Sequence, residues 1–192
     1  MKPLLIAAAA LLAGFAPADA PKRAEAYFAM GCFWCGEADM EKVPGVIEVT
    51  SGYTGGTVAN PTYEQVSADV TGHYEAVKVV YDPSKLSYAR LLDEFWRNID
   101  PFDPRGQFCD KGSSYRAAIF PLNAAQRKLA KASKARVEAH FGRSTAVTVA
   151  DMTTFYDAES YHQDYYRKNP IRYRLYRGGC GRDARLKEVW GG

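Results

Sequence analysis

A short apolar strand that passes through one glycine straight into a helix constrains this chain more than any other feature. Ala24 to Met30 is short, apolar and aromatic, and reads as a buried strand. Gly31 punctuates it. Phe33 to Val43 has helical composition and ends at Pro44-Gly45. Cys32 therefore stands on a strand-to-helix turn, within the run Gly31-Cys32-Phe33-Trp34-Cys35.

The remaining pattern supplies partners for that strand. Val46 to Tyr53 predicts a second strand, followed by a Gly- and Pro-rich loop from Thr54 to Pro61. Tyr74 to Tyr81 alternates Ala76, Lys78 and Val80 against Val77, Val79 and Tyr81, and Asp82-Pro83 turns the chain. Ser87 to Asp100 carries Leu91, Leu92, Phe95, Trp96 and Ile99 at helical spacing. A loop from Asp100 to Ser113 holds two prolines, two glycines and Cys109. Tyr115 to Phe120 predicts another strand. Asn123 with Gln126 resembles a capping box for a helix running to Phe141, with Gly142 as its stop. Thr145 to Ala150 reads as a strand, and Glu159 to Lys168 as a short helix stopped by Asn169-Pro170. This order predicts an α+β fold: a mixed two-layer α/β sandwich with a ferredoxin-like β-α-β-β-α-β core and long loops. Loops this long in a small domain are often functional.

The first twenty residues differ from the rest. Lys2 precedes an apolar run from Leu4 to Ala16, and small residues follow. The outline is that of a secretory signal peptide over residues 1–20, cleaved after Ala18 or after Ala20. A run of 13 residues is short for a membrane span, which needs roughly 20. Residues 21–192 then form a single domain. The chain is expected to be exported, to the periplasm in a Gram-negative source. A net charge of +3, from 25 basic and 22 acidic residues, is too mild to argue for nucleic acid or for a stable membrane association. Disulfides persist outside the cytoplasm, yet a mature chain this long does not need them to fold. The four cysteines, Cys32, Cys35, Cys109 and Cys180, therefore point to redox chemistry.

Cys32 is the first candidate. At a helix start, unpaired N–H groups stabilise a thiolate, which is the nucleophilic form. Cys35 completes a C-x-x-C pair. The Phe-Trp between the two is unlike the Gly-Pro of a thioredoxin-like site, and Gly36 stands where a c-type haem site needs His. A four-cysteine zinc site needs a second close pair, which Cys109 and Cys180 do not form in sequence. Phe33 and Trp34 can wall a methyl or thioether pocket. Glu75, among apolar and aromatic neighbours, becomes a proton donor near pH 7 if buried. His73 reads as a structural hydrogen-bond partner.

Seven motifs occur in a recognisable order: Gly31-Cys32-Phe33-Trp34, Gly52-Tyr53-Thr54-Gly55-Gly56, Asn60-Pro61-Thr62-Tyr63, Gly72-His73-Tyr74-Glu75, Tyr81-Asp82-Pro83, Asp110-Lys111-Gly112-Ser113-Ser114-Tyr115-Arg116 and His162-Gln163-Asp164-Tyr165. From Tyr27 to Tyr176 the chain resembles the peptide methionine sulfoxide reductases of the A class, which act on the S epimer. The resemblance implies that Cys32 attacks the sulfoxide sulfur and that Glu75 protonates the departing oxygen. It implies that Tyr63 and Tyr115 hydrogen-bond that oxygen, that Asp110 orders the network, and that Phe33 and Trp34 hold the methyl group. Methionine and a Cys32 sulfenic acid would result. A second thiol would condense with the sulfenate, and a thioredoxin-like dithiol protein would restore the enzyme, with no metal or organic cofactor. Oxidised proteins and free methionine sulfoxide would be the substrates, and the enzyme a monomer.

The chain departs from the family pattern at its other cysteines. Many members carry Gly at the position of Cys35 and Asn at that of Cys109. The tail has Cys180 alone, between glycines, where well-known members have two recycling cysteines. Cys180 is the expected resolving cysteine, because its glycine neighbours permit a long backbone excursion. Cys35 is the alternative, and Cys109, beside the active-site loop, is the third candidate or a spectator.

Overall fold

In the computed structural model, which describes residues 22–191, the apolar run Ala24–Met30 is β1. The chain continues through α1 (Phe33–Met40), β2 (Val46–Thr54), α2 (Tyr63–Ser67), β3 (Tyr74–Tyr81) and α3 (Tyr88–Arg97). A hairpin of β4 (Gly106–Gln107) and β5 (Asp110–Lys111) follows, then a 3-10 turn at Ser113–Tyr115 and β6 (Ala117–Phe120). Then come α4 (Ala124–Phe141), β7 (Thr148–Val149), β8 (Tyr156–Asp157), α5 (Tyr165–Lys168), α6 (Pro170–Gly179) and α7 (Arg182–Trp190). The expected signal peptide, residues 1–20, lies outside the described residues.

One sheet in the order β7-β6-β1-β3-β2-β8 organises the molecule. Its four central strands, β6-β1-β3-β2, are antiparallel and joined through α1 and α3, which is the ferredoxin-like arrangement the sequence predicts. Phe28 sits between Val77 of β3 and Ile119 of β6. Successive side chains of β1 point to opposite faces. Ala26, Phe28 and Met30 enter the main core with Leu91, Leu92 and Phe95 of α3. Tyr27 and Ala29 face the other way, with Ala118 and Phe120, under Ala150, Met152 and Phe155. Phe28 stacks on Phe95 at a centroid distance of 5.2 Å. Each large apolar side chain buried here contributes about 2 kcal/mol.

Helix ends match local chemistry, with some corrections. Asn123 caps α4 by accepting from the Gln126 amide at 2.9 Å, and Gly142 ends the helix with φ +65°. The Gln126 side chain does not reach back to Asn123; it accepts from Leu122 N–H and donates to the Glu25 carbonyl, tying α4 to β1. A reciprocal capping box starts α2 instead, between Thr62 and Gln65, in a segment that carried no expected helix. The strand expected over Tyr115 to Phe120 begins at Ala117, because Tyr115 closes the 3-10 turn. The strand expected over Thr145 to Ala150 shrinks to Thr148–Val149, and the helix expected from Glu159 becomes α-helical only at Tyr165. Pro170 does not end the helical structure of this region; it starts α6, since a proline at the first helical position loses no hydrogen bond.

Candidate active site

Gly31 makes the junction between β1 and α1 possible. Its φ is +80°, and a Cβ there would come within 2.5 Å of the Gln107 Cβ. Gln107 is itself fixed, exchanging hydrogen bonds of 2.8 Å with the backbone of Asp100. The β4–β5 hairpin therefore closes on the turn that presents Cys32, the N-cap residue of α1.

The helix start does not serve the Cys32 sulfur as the sequence suggests. The Phe33 amide donates to Glu75 Oε2 at 2.9 Å, and the amides of Cys35 and Gly36 bond the Cys32 carbonyl. Burial pushes the Cys32 thiol well up from its ordinary value. Cys35, equally buried and hydrogen-bonded to Cys32, moves the other way, to about 7. The Cys32 hydrogen bond does most of this, and the Arg182 and Arg177 guanidinium groups add to it. The two thiols titrate as a pair.

Glu75 stands opposite Tyr53 on β3 and is 2% exposed. Burial pushes its carboxyl up to about 8, against the opposing bond from the Phe33 amide. It is therefore protonated at neutral pH. Tyr115 and Tyr63 line the same pocket as Glu75. Burial pushes Tyr63 up to about 12 and Tyr115 higher still, so both keep their protons. The Tyr115 turn is held by Asp69, which accepts from the amides of Ser113 and Ser114 at 3.1 and 3.0 Å. Tyr63 is held by its own amide, which donates to Glu159.

An aromatic wall faces these groups. Trp34 stacks on Tyr165 with centroids 3.7 Å apart and an angle of 6°, and its Nε1 donates to His162 Nδ1 at 2.9 Å. Burial holds His162 below the ordinary imidazole value, so it is a neutral acceptor at pH 7. Phe33 and Tyr63 pack on the same imidazole at 4.8 and 4.5 Å. His73 stays outside the site and bonds the loop backbone, with Nε2 at 2.8 Å from the Val58 carbonyl.

A pocket of about 60 Å³ is lined by Cys32, Phe33, Trp34, Tyr63, Glu75, Asp110 and Tyr115, which are the seven candidates for sulfoxide chemistry, together with Tyr176. The eighth residue went unnoticed in the sequence, as did Arg177 and Arg182. All three come from the tail. Arg177 forms two hydrogen bonds of 2.9 and 3.0 Å with Asp39, and buried Arg182 donates to the carbonyls of Met30 and Asn98. The available signal was Tyr173, Tyr176 and Cys180 at i, i+3 and i+7 behind an Asn-Pro helix start. Cys180 is bonded to Cys109 in a disulfide, while Cys32 and Cys35 are both free thiols. The structure therefore gives Cys109 a covalent partner, Cys180.

A thiol, a protonated carboxyl and two hydroxyls converging on a small aromatic pocket suit the removal of an oxygen from a sulfoxide. The profile of the family "Peptide methionine sulfoxide reductase" matches residues 24–192. The peptide methionine sulfoxide reductase MsrA 2 of Caulobacter vibrioides is 53% identical over 191 residues, covering 98% of this chain and 97% of its own length. The reduced form of Mxr1 from Saccharomyces cerevisiae superposes with a TM-score of 0.74 at 30% identity, covering 78% of this chain and 87% of that one. Mxr1 in complex with Trx2 matches at a TM-score of 0.54 and 22% identity, covering 81% and 91%, and shares the fold. Architecture and sequence agree along nearly the whole length, and the chain belongs to the peptide methionine sulfoxide reductases of the A class.

Proposed function

We propose that this peptide-methionine (S)-S-oxide reductase uses Cys32 as its nucleophile and Glu75 as the acid for the first half of its reaction. The observation that carries this reading is a carboxyl kept protonated at neutral pH in the same pocket as a free thiol. An oxide leaves sulfur poorly unless it is protonated. Cys32 attacks the sulfoxide sulfur and gives up its thiol proton to solvent, Glu75 delivers a proton to the oxygen, and methionine departs as the Cys32 sulfenic acid and the Glu75 carboxylate form. Tyr63 and Tyr115 hold the oxygen, Asp110 orders the hydroxyls, and Phe33 and Trp34 enclose the methyl group.

The second half begins at Cys35. Its support is a second free thiol three residues along the same turn from Cys32, lowered by the Arg182 and Arg177 guanidinium groups, which favours attack on a neighbouring sulfenate. This displaces Cys180 from the first resolving step expected of it. The pair Cys109 and Cys180 then takes the oxidation by thiol–disulfide exchange, and the exposed Cys109 offers the new disulfide to a reductant. A thioredoxin-like dithiol protein suits that role; the yeast relative has been solved in complex with Trx2. The substrates are methionine sulfoxide residues of proteins and the free amino acid, and the enzyme acts as a monomer. Export rests on the leader-like residues 1–20 and agrees with a disulfide between Cys109 and Cys180.

Turnover of separate S and R epimers of a blocked methionine sulfoxide tests the reading. The S epimer alone is reduced, and Cys32→Ser abolishes the reaction. Fully reduced protein without added reductant yields about two equivalents of methionine per chain, and the Cys109→Ser/Cys180→Ser variant about one. Equal yields from both proteins would remove the second cysteine pair from the electron path.

A further inference from the structure

We propose that Tyr176, carried on α6, is a further catalytic residue, whose hydroxyl relays a proton from Asp110 to the Cys32 sulfenic oxygen when Cys35 attacks. The inference rests on the reading of Cys32 and Cys35 above.

The geometry of the tail motivates it. The Tyr176 hydroxyl donates to Asp110 Oδ2 at 2.5 Å, and both residues line the same small pocket as Cys32. It therefore ties a carboxyl into the pocket of the reacting sulfur. Its ring stands edge-on to Trp34, with centroids 5.7 Å apart, at the pocket wall. One helical turn later Cys180 is joined to Cys109, the neighbour of Asp110. Tyr176 and Asp110 are thus held together by a hydrogen bond, and the two cysteines beside them are close enough to bond.

The chemistry of the second half calls for such a link. Glu75 gives up its proton when methionine leaves and is then a carboxylate. The sulfenic oxygen must still acquire a second proton to depart as water. The amides of Phe33, Cys35 and Gly36 are committed to other acceptors, and the Cys32 side chain makes no capping hydrogen bond to the helix. Asp110 is the carboxyl that the geometry supplies, hydrogen-bonded to Tyr176 at the pocket, and burial raises it above the ordinary value. A hydroxyl can accept one proton while donating another. In the step itself the Cys35 thiolate attacks the Cys32 sulfur, the S–S bond forms and the S–O bond breaks. The Tyr176 hydroxyl turns from Asp110 toward the leaving oxygen and gives it a proton, and the Asp110 proton replaces it. The sulfenic acid, the Cys35 thiolate and protonated Asp110 become the Cys32–Cys35 disulfide, water and the Asp110 carboxylate. Atoms and charge balance.

Rapid-quench single turnover of reduced protein tests this, with methionine and the Cys32–Cys35 disulfide measured separately and the sulfenic acid captured by dimedone. In Tyr176→Phe, disulfide formation falls about a hundredfold relative to methionine release, and the sulfenic acid accumulates. Asp110→Asn, which keeps the tyrosine, produces the same accumulation. Equal slowing of both steps would make Tyr176 a pocket wall only and overturn the relay. Unchanged disulfide formation in Tyr176→Phe would overturn it too. A wild-type protein that forms methionine but no Cys32–Cys35 disulfide would instead count against the reading of Cys35.

Discussion

The Phe33 amide donates to the Glu75 carboxylate at 2.9 Å, so the first free N–H of α1 serves the acid and not the nucleophile. The bond bridges 42 residues and fixes a strand carboxyl against the mouth of a helix. It orients Glu75 without ionising it, because burial outweighs it and keeps the carboxyl protonated up to about pH 8.

The rate of methionine formation in a single turnover should therefore fall as the pH rises past about 8. Glu75→Gln should lower that rate by roughly 10²–10⁴ at neutral pH and abolish the alkaline limb. Rapid-quench measurements from pH 6 to 10 decide it. A limb that persists in the glutamine variant would mean that another group supplies the proton.

The same carboxyl links stability to pH. Its folded value, about 8, lies above the ordinary 4.5. Its contribution is intact below pH 4.5 and drains away as the pH rises to 8, because unfolding then releases a proton. Wild type should lose roughly 1.4 kcal/mol per pH unit relative to Glu75→Gln across that window. Urea unfolding of both proteins at several pH values reads the divergence.

Arg182 lowers the Cys35 thiol from behind, with its side chain buried and its guanidinium 4.5 Å from the Phe108 ring. Arg182→Met keeps much of the volume and removes the charge. Alkylation of Cys35 at pH 7 should slow, and the midpoint of its pH dependence should rise. Disulfide formation in a single turnover should slow with it.

Gly31→Ala should cost about 1–3 kcal/mol, since alanine at φ +80° is strained and its Cβ meets Gln107 at 2.5 Å. The loss should appear in chemical denaturation. Activity should fall further than stability, because the shift falls on the residue before Cys32.

Much of this was legible in the sequence where local chemistry and tertiary demand agree. The strand Ala24–Met30, the helix cap at Asn123 and the stop at Gly142 follow from apolar runs, side-chain acceptors and a left-handed glycine. The pocket residues lie in motifs and could be named one by one. The commitment of the Phe33 amide was not visible, because it depends on how β3 packs under α1. The contacts of the tail were hidden for a similar reason. Glycines around Cys180 suggested a free excursion, whereas Tyr176, Arg177 and Arg182 find their partners only after the chain has folded back.

The bond between Cys109 and Cys180 spans 71 residues. Closing a loop of that length removes enough freedom from the unfolded chain to favour the fold by about 4 kcal/mol. If that bond is made in each catalytic cycle and broken by the reductant, the spent enzyme is more resistant to heat than the charged one. Its melting temperature then becomes a gauge of electron supply: a population starved of reductant survives heating, and a well-supplied one is the first to unfold.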